Sequence, residues 1–321
     1  MSGRISSRFT RASTADDVLA GQDLSAKTMV VTGGASGLGY ETTRALAKAG
    51  ARVLIGVRDT VAGESAVAAI RAEAPRARIE IAELDLVNLQ SVRAFAGWLE
   101  TTAPVIDVFI ANAGISNTPQ SHAENGWELR FATNHVGHGV LIGAVLPQLR
   151  RAAPARVVMV SSAAHKGSPV EFEDIHFRGR PWDPFKAYGQ SKSANVLYGV
   201  EFTRRFADAG LTANALQPGS ILTRLQRHNS QERMILNGML DAQGQPVSDM
   251  RSPEQGAATS VWAAVAPELA GHGGLYLENC AESEPVGPDT HKWEGWAPHA
   301  RDPEAARRLW ALTEEMVGPI G

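Results

Sequence analysis

Short apolar runs alternate with longer stretches of helical spacing through the first half of the chain. The runs at 29–32, 52–57, 78–82, 105–111 and 156–160 predict strands, and the stretches 41–49, 61–74, 89–100 and 127–150 predict helices between them. Strands alternating with helices in this rhythm imply a parallel sheet covered on both faces. The rhythm breaks from Ser162 to Ala187, a loop rich in Gly, Pro and charge, and resumes with a helix from Tyr188 to Ala209 and a strand at 212–216. Beyond Pro218, Ser252-Pro-Glu-Gln255 offers a capping box with proline at the first helical position, so a helix should run to Ala266. A last strand is predicted at 274–277, and Asp302-Pro303 opens a final helix by the same N-cap logic. The expected fold class is α/β: one domain built on a doubly wound parallel sheet of about seven strands, with helices on both faces.

The 321 residues are 44% hydrophobic and 20% charged, with a net charge of −3. That balance excludes disorder and argues against a nucleic-acid partner held by a basic face. The single cysteine, Cys280, can form neither an internal disulfide nor a Cys-rich metal site. No apolar run approaches the ~18 residues of a membrane helix. Met1 to Ala20 is rich in Ser, Arg and Asp without an apolar segment, which is not a secretory signal. A cytoplasmic setting is expected, with residues 1–26 as a polar surface arm ahead of a domain at 27–321.

Candidate chemistry begins at Thr32-Gly33-Gly34-Ala35-Ser36-Gly37-Leu38-Gly39, between the first strand and the first helix. Glycines there let the backbone turn sharply and approach a pyrophosphate, and the helix N-terminus presents free N–H groups and a positive dipole. The spacing is G-x-x-x-G-x-G. The acid that binds an NAD ribose usually ends the second strand. Here Arg58 follows Val57 instead, suited to the 2′-phosphate of NADP. Asp59 beside it suits a ribose, so NADP(H) is preferred and NAD(H) stays open.

Tyr188-Gly-Gln-Ser-Lys192 places a phenol and an ammonium on one face of a helix. Tyrosine has a pKa near ~10 and a nearby cation favours its phenolate, so the pair suits proton exchange with an alcohol or carbonyl. Together with the glycine turn and Ser161-Ser162 at a strand end, it resembles the short-chain dehydrogenase/reductase family and its Rossmann-type fold, over about Lys27 to Pro218. Thr32 to Gly39 is similar to the family's TGxxxGxG turn, and Asn112-Ala113-Gly114 to its NAG motif. Pro218-Gly219 with Thr223 is similar to the PGxxxT segment on the nicotinamide side. The resemblance implies cofactor contacts from Gly33, Ser36, Gly37, Leu38, Gly39, Asp85 and Leu86 on the adenine and phosphate side. Asn112, Ala113, Gly114, Pro218, Gly219, Thr223, Tyr188 and Lys192 would complete the cofactor site. It further implies that Tyr188 exchanges the proton and Ser162 holds the developing oxyanion, with Ser161 as the alternative. Lys192 would lower the pKa of Tyr188 and bind the ribose, and Asn134 would hold a water of the proton path.

Tyr188 stands 26 positions after Ser162, about twice the spacing usual in the family. The extra stretch, and Asn134-His-Val-Gly-His138, resemble the retinol-dehydrogenase-like branch and its bacterial relatives. That branch implies a lipophilic alcohol, aldehyde or ketone as substrate. Sugar-nucleotide epimerases carry GxxGxxG, absent here. Protochlorophyllide-type C=C reductases use additional cysteines. A non-catalytic NADP-binding regulator has no need of Asn134, Ser162, Tyr188 and Lys192 together. His135, His138 and His165 lack a carboxylate or Cys at ligand spacing and are read as packing or capping groups, with no metal expected. Trp293 and Trp296 fit a lid, a subunit contact or simple burial. Leu222 to Met250 fits either a pocket wall or a core helix. A homodimer or homotetramer is compatible with the family and undecided by the sequence.

Overall fold

A computed structural model describes residues 3–320 other than 117, 227 and 228; two of the latter lie in the expected pocket wall. The strands are β1 (Thr28–Thr32), β2 (Arg52–Val57), β3 (Arg78–Glu83), β4 (Val108–Ala111), β5 (Ala155–Val160), β6 (Leu211–Leu216), β7 (Tyr276–Glu278) and β8 (Ala281–Glu282). They form one sheet in the order β3-β2-β1-β4-β5-β6-β7-β8, parallel except for β8. The expected seven strands become eight, because a two-residue strand folds back from β7 through Asn279 and Cys280, both at positive φ. A strand that short carries no periodicity to read.

Alternate residues feed two cores, which is why the strands read as continuous apolar runs. Met29, Val31, Ile55 and Ile110 pack with Leu46 and Trp262 on one face. Val30, Leu54, Phe109 and Met159 pack with Leu141, Val196 and Phe202 on the other. The helices are α1 (Ala15–Leu19), α2 (Gly37–Lys48), α3 (Thr60–Glu73), α4 (Leu89–Thr102) and α5 (Leu129–Phe131). After a π-helical turn at Ala132–Val136 come α6 (Gly137–Ala144), α7 (Leu146–Ala152), α8 (Pro184–Phe206), α9 (Gln231–Leu236), α10 (Pro253–Val265) and α11 (Pro303–Val317). None of the described helices is long and apolar enough to cross a membrane.

Three expectations change. The helix expected at 127–150 divides at the π turn and again at Val145, where Pro147 brings no N–H to the ladder. The Tyr188 helix starts four residues early, at Pro184, because the Asp183 carboxylate caps the N–H groups of Phe185 and Lys186. The N-terminal arm is not merely superficial. Thr14 and Asp17 form a capping box that starts α1, whose Ala15, Val18 and Leu19 are buried in the core. Ahead of it, Ile5 exchanges hydrogen bonds with Glu282 and Ser7 donates to the Cys280 carbonyl, which covers the sheet edge.

Candidate active site

The order of the sheet reverses between β1 and β4, and the expected site residues gather beyond the carboxyl ends of these strands and β5, as ligand sites do in open α/β sheets. The turn after β1 is shaped by contacts only glycine permits. A Cβ on Gly39 would lie 2.2 Å from the Gly33 carbonyl oxygen and 2.5 Å from Asn112 Nδ2. Gly33, at φ +67°, would carry its own Cβ 3.1 Å from that of Ala113. Ser36 is the N-cap of α2, yet its side chain makes no capping bond, and Leu38 follows it into the first turn. Thr223 lies against Gly37, its methyl 3.7 Å from where a Cβ would stand. The phosphate-side turn, the NAG segment and the PGxxxT segment therefore meet.

Asp59 caps α3, accepting from the Ala62 N–H at 3.0 Å, so its carboxylate is already engaged. Arg58 beside it is exposed and makes no hydrogen bond or ion pair among the described residues. Asp85 is half-buried with its carboxylate on the Val87 N–H at 3.1 Å, while Leu86 is buried with its carbonyl against Gly137. These four residues follow the carboxyl ends of β2 and β3.

On the other side, the Tyr188 phenol stands beside the side chain of Ser162, whereas Ser161 is buried and donates to the Lys192 carbonyl at 2.8 Å. Burial pushes the Tyr188 phenol up to about 12, against the pull of Ser162. Lys192 Nζ donates to the Val160 carbonyl at 2.8 Å, and burial brings its ammonium down to about 8. The direction is opposite to the expected lowering of the tyrosine by the lysine: the ammonium lies over the ring, 5.7 Å from its centroid, and burial dominates both groups. Gly114 separates Lys192 from Asn134, its missing Cβ falling 3.4 Å from Nζ and 3.1 Å from Asn134 Oδ1.

Asn134, fully buried in the π turn, pairs with Ile115 as one peptide pairs with another. Its Oδ1 accepts from the Ile115 N–H at 2.8 Å, and its Nδ2 donates to the Ile115 carbonyl at 2.9 Å and to Ser191 Oγ at 2.9 Å. Both Nδ2 protons are engaged, so the main-chain carbonyl is the part of this residue left to serve a water.

Several residues that sequence reasoning passed over support the site. Arg130 and Glu128, both wholly buried, pair at 2.8 Å, and Arg130 also donates to the carbonyls of Ser116 and Thr118, fixing the loop after Gly114. Arg251 fills the space a Cβ on Gly219 would need and donates to the Asn279 side chain. Neither role has a local signal, since the carbonyls that Arg130 holds and the Asn279 that Arg251 holds are 12 or more positions away. His165 accepts from the Ala297 N–H at Nε2, so its Nδ1–H donates to the Ser162 carbonyl at 2.7 Å. Gln217 donates to the Trp293 carbonyl, and Trp296 is half-buried, its indole N–H on the Ser283 carbonyl. The 293–297 segment is thus a fastened strap beside the serine. Pro119, Trp182, Pro184, Phe185 and Arg233 line a cavity of about 460 Å³ one helical turn before Tyr188. Of the expected pocket wall, Met239 and Leu240 are buried while Leu236 is exposed at 77%. Among the described residues, no three His, Cys, Asp or Glu side chains are grouped to hold a metal.

A glycine-rich strand-to-helix turn facing a Ser–Tyr–Lys cluster on a doubly wound sheet defines a nucleotide-dependent oxidoreductase of the α/β class. The chain belongs to the short-chain dehydrogenase family, whose sequence model matches residues 27–234. It is 48% identical over 292 residues to the "Probable oxidoreductase" of Streptomyces antibioticus, covering 90% of this chain and 96% of that one. It is 35% identical to human retinol dehydrogenase 13, covering 91% and 85%. Among solved structures, a protein from Mycobacterium paratuberculosis matches with a TM-score of 0.69 at 33% identity, covering 95% and 97%. The Pseudomonas aeruginosa RhlG/NADP active-site complex matches with a TM-score of 0.60 at 26% identity, covering 76% and 91%.

Proposed function

We propose that this oxidoreductase is NADP(H)-dependent and interconverts an alcohol and a carbonyl in a mostly apolar small molecule, with Tyr188 as the general acid and base. The observation that carries this reading is the Tyr188 phenol set beside Ser162 and under the buried Lys192 ammonium, next to a turn that only glycine can make. When bound, the nicotinamide cofactor supplies or accepts the hydride. The chain's own residues then act as follows. Ser162 orients the carbonyl oxygen and steadies its developing charge. Tyr188, protonated at neutral pH, delivers the proton to that oxygen. Lys192 holds positive charge beneath the ring.

The fit to a phosphorylated dinucleotide rests on Ser36, whose side chain makes no cap bond, and on Arg58, which has no partner among the described residues while Asp59 is engaged. The aromatic and proline lining of the adjacent cavity favours a lipophilic aldehyde, ketone or alcohol. A C=C reductase would need another proton donor. Cys280 is buried on the β7–β8 turn with its thiol pushed up to about 11, which suits it poorly. Helix α11 covers α8, with Trp310 stacked on Tyr198 at 5.1 Å, so a homodimer or homotetramer would form through another face.

The deciding test is a panel of apolar aldehydes, ketones and alcohols followed by NADPH absorbance, with wild type and Tyr188→Phe. Tyr188→Phe should keep cofactor affinity and lose turnover by about 10²–10⁴-fold. Equal rates in the two proteins would end the acid–base assignment and favour a proton source elsewhere.

A further inference from the structure

We infer that His138 is a positioning residue, a neutral imidazole of fixed tautomer that orients the Asn134 carbonyl from the phosphate-binding turn. It rests on the proposed active site and adds a residue to it. Thr32, the last residue of β1, is fully buried. Its Oγ1 accepts from the N–H of Asn112 at 3.0 Å and from that of Ala113 at 3.0 Å. A hydroxyl has two lone pairs and one proton, so with both lone pairs engaged the proton must go elsewhere. The remaining neighbour is His138 Nε2, 2.8 Å away and 106 positions along the chain. Nε2 is therefore the acceptor and carries no proton. The proton of the neutral ring must lie on Nδ1, which donates to the Asn134 carbonyl at 2.9 Å.

Every donor and acceptor in this chain is matched in one direction only. A second proton on His138 would face the Thr32 hydroxyl proton and break the pattern. Burial, together with the charge of Lys192, holds the imidazole well below its usual range. The chain ties the end of β1, the NAG segment and the π turn into one unit. Asn134 Oδ1 already accepts from the Ile115 N–H and its Nδ2 donates to Ile115 and Ser191, so the carbonyl that His138 holds is the acceptor left to the proton path. Because its Nδ1–H only donates to a carbonyl, His138 orients that path and passes no proton itself.

The tautomer can be read without turnover. Imidazole ¹⁵N shifts of His138 should show Nδ1 protonated and Nε2 bare, unchanged between pH 8 and roughly 5.5, since the ring stays neutral throughout that range. An Nε2–H tautomer, or titration near the usual histidine value, would overturn the inference. In activity, His138→Leu removes both bonds and should lower kcat about tenfold or more, change its pH profile, and leave KM nearly unmoved. His138→Asn keeps an N–H near the Nδ1 position and should recover part of the loss. Equal deficits in the two variants, or a wild-type kcat and pH profile in a folded His138→Leu, would refute a positioning role. Should His138→Leu fail to fold, Thr32→Val against Thr32→Ser decides, since only the serine keeps the donor to Nε2. The reading of the site fails separately: Tyr188→Phe would then turn over normally, whatever His138 does.

Discussion

The ammonium of Lys192 lies over the Tyr188 ring, 5.7 Å from its centroid, and donates to the Val160 carbonyl, with no hydrogen bond to the phenol. Burial moves the two groups in opposite directions, the phenol up to about 12 and the ammonium down to about 8. At neutral pH the tyrosine holds its proton and the lysine its charge, the state that the proposed carbonyl reduction needs. The phenol stays protonated well beyond pH 8, so the lysine loses its proton first as pH rises. The kcat/KM for reduction should therefore be level through neutrality and fall as pH passes about 8. A steady-state pH profile checks this, and a fall beginning only near 10 would detach the lysine charge from catalysis.

At the end of β2, the N-cap role of Asp59 leaves Arg58 as the free charged group. Arg58→Ala should weaken NADPH binding about 10- to 100-fold, the range for a lost charge-assisted hydrogen bond, and leave NADH binding unchanged. Asp59→Ala should do the reverse of what a ribose ligand would: cost about 1 kcal/mol of stability as a lost cap and leave the NADPH/NADH ratio alone. Fluorescence titration with both cofactors, alongside thermal unfolding, separates the two roles.

Two glycine-to-alanine changes should have opposite signs. At Gly39 the new methyl would lie 2.2 Å from the Gly33 carbonyl oxygen, so the turn must open and cofactor affinity should collapse. At Gly97, exposed inside α4, nothing lies within 4 Å. There alanine should raise stability by about 0.5–1 kcal/mol through helix propensity and leave binding untouched. Calorimetric unfolding and NADPH titration of the two variants give the comparison, and a Gly39→Ala protein with normal affinity would remove the steric argument.

Much of this site was legible because its chemistry is local. The strands announce themselves by apolar runs, the turn by glycines between a strand and a helix, and the Tyr188–Lys192 pair by helical spacing. Some missed features were written locally too: Thr14 with Asp17, and Asp183-Pro184, are capping signals that place α1 and the true start of α8. Others were not. The π turn holds Asn134, whose side chain pairs with Ile115, 19 positions away. The Arg130–Glu128 pair is close in sequence, but its purpose lies in carbonyls of a preceding loop. His138 shows its tautomer only when folding brings it to Thr32. The elevated Tyr188 could not be foreseen either, since burial sets its direction and burial is not written in the local sequence.

Acid should destabilise the fold through its interior histidines. His135, His138 and His165 are fully buried, and burial lowers them to about 3, about 4 and about 4 from an ordinary 6.5. Between pH 6.5 and 4 the unfolded chain takes up these protons and the folded one does not. Stability is therefore intact above 6.5 and falls with pH, by about 1.4 kcal/mol per pH unit for each ring. His135 offers a clean test. Thr313 already donates its hydroxyl proton to the Leu309 carbonyl at 2.7 Å, so His135 donates to Thr313 from Nε2, leaving the buried Nδ1 without a partner. Its ring packs 5.0 Å from that of Phe131, in surroundings that suit an aromatic hydrocarbon. His135→Phe should cost less than about 1.5 kcal/mol at pH 7 and lose stability more slowly on acidification than wild type. Chemical denaturation at pH 7, 6 and 5 measures both slopes. Parallel slopes would mean that His135 takes up its proton in the folded state and that its burial is less complete than the packing indicates.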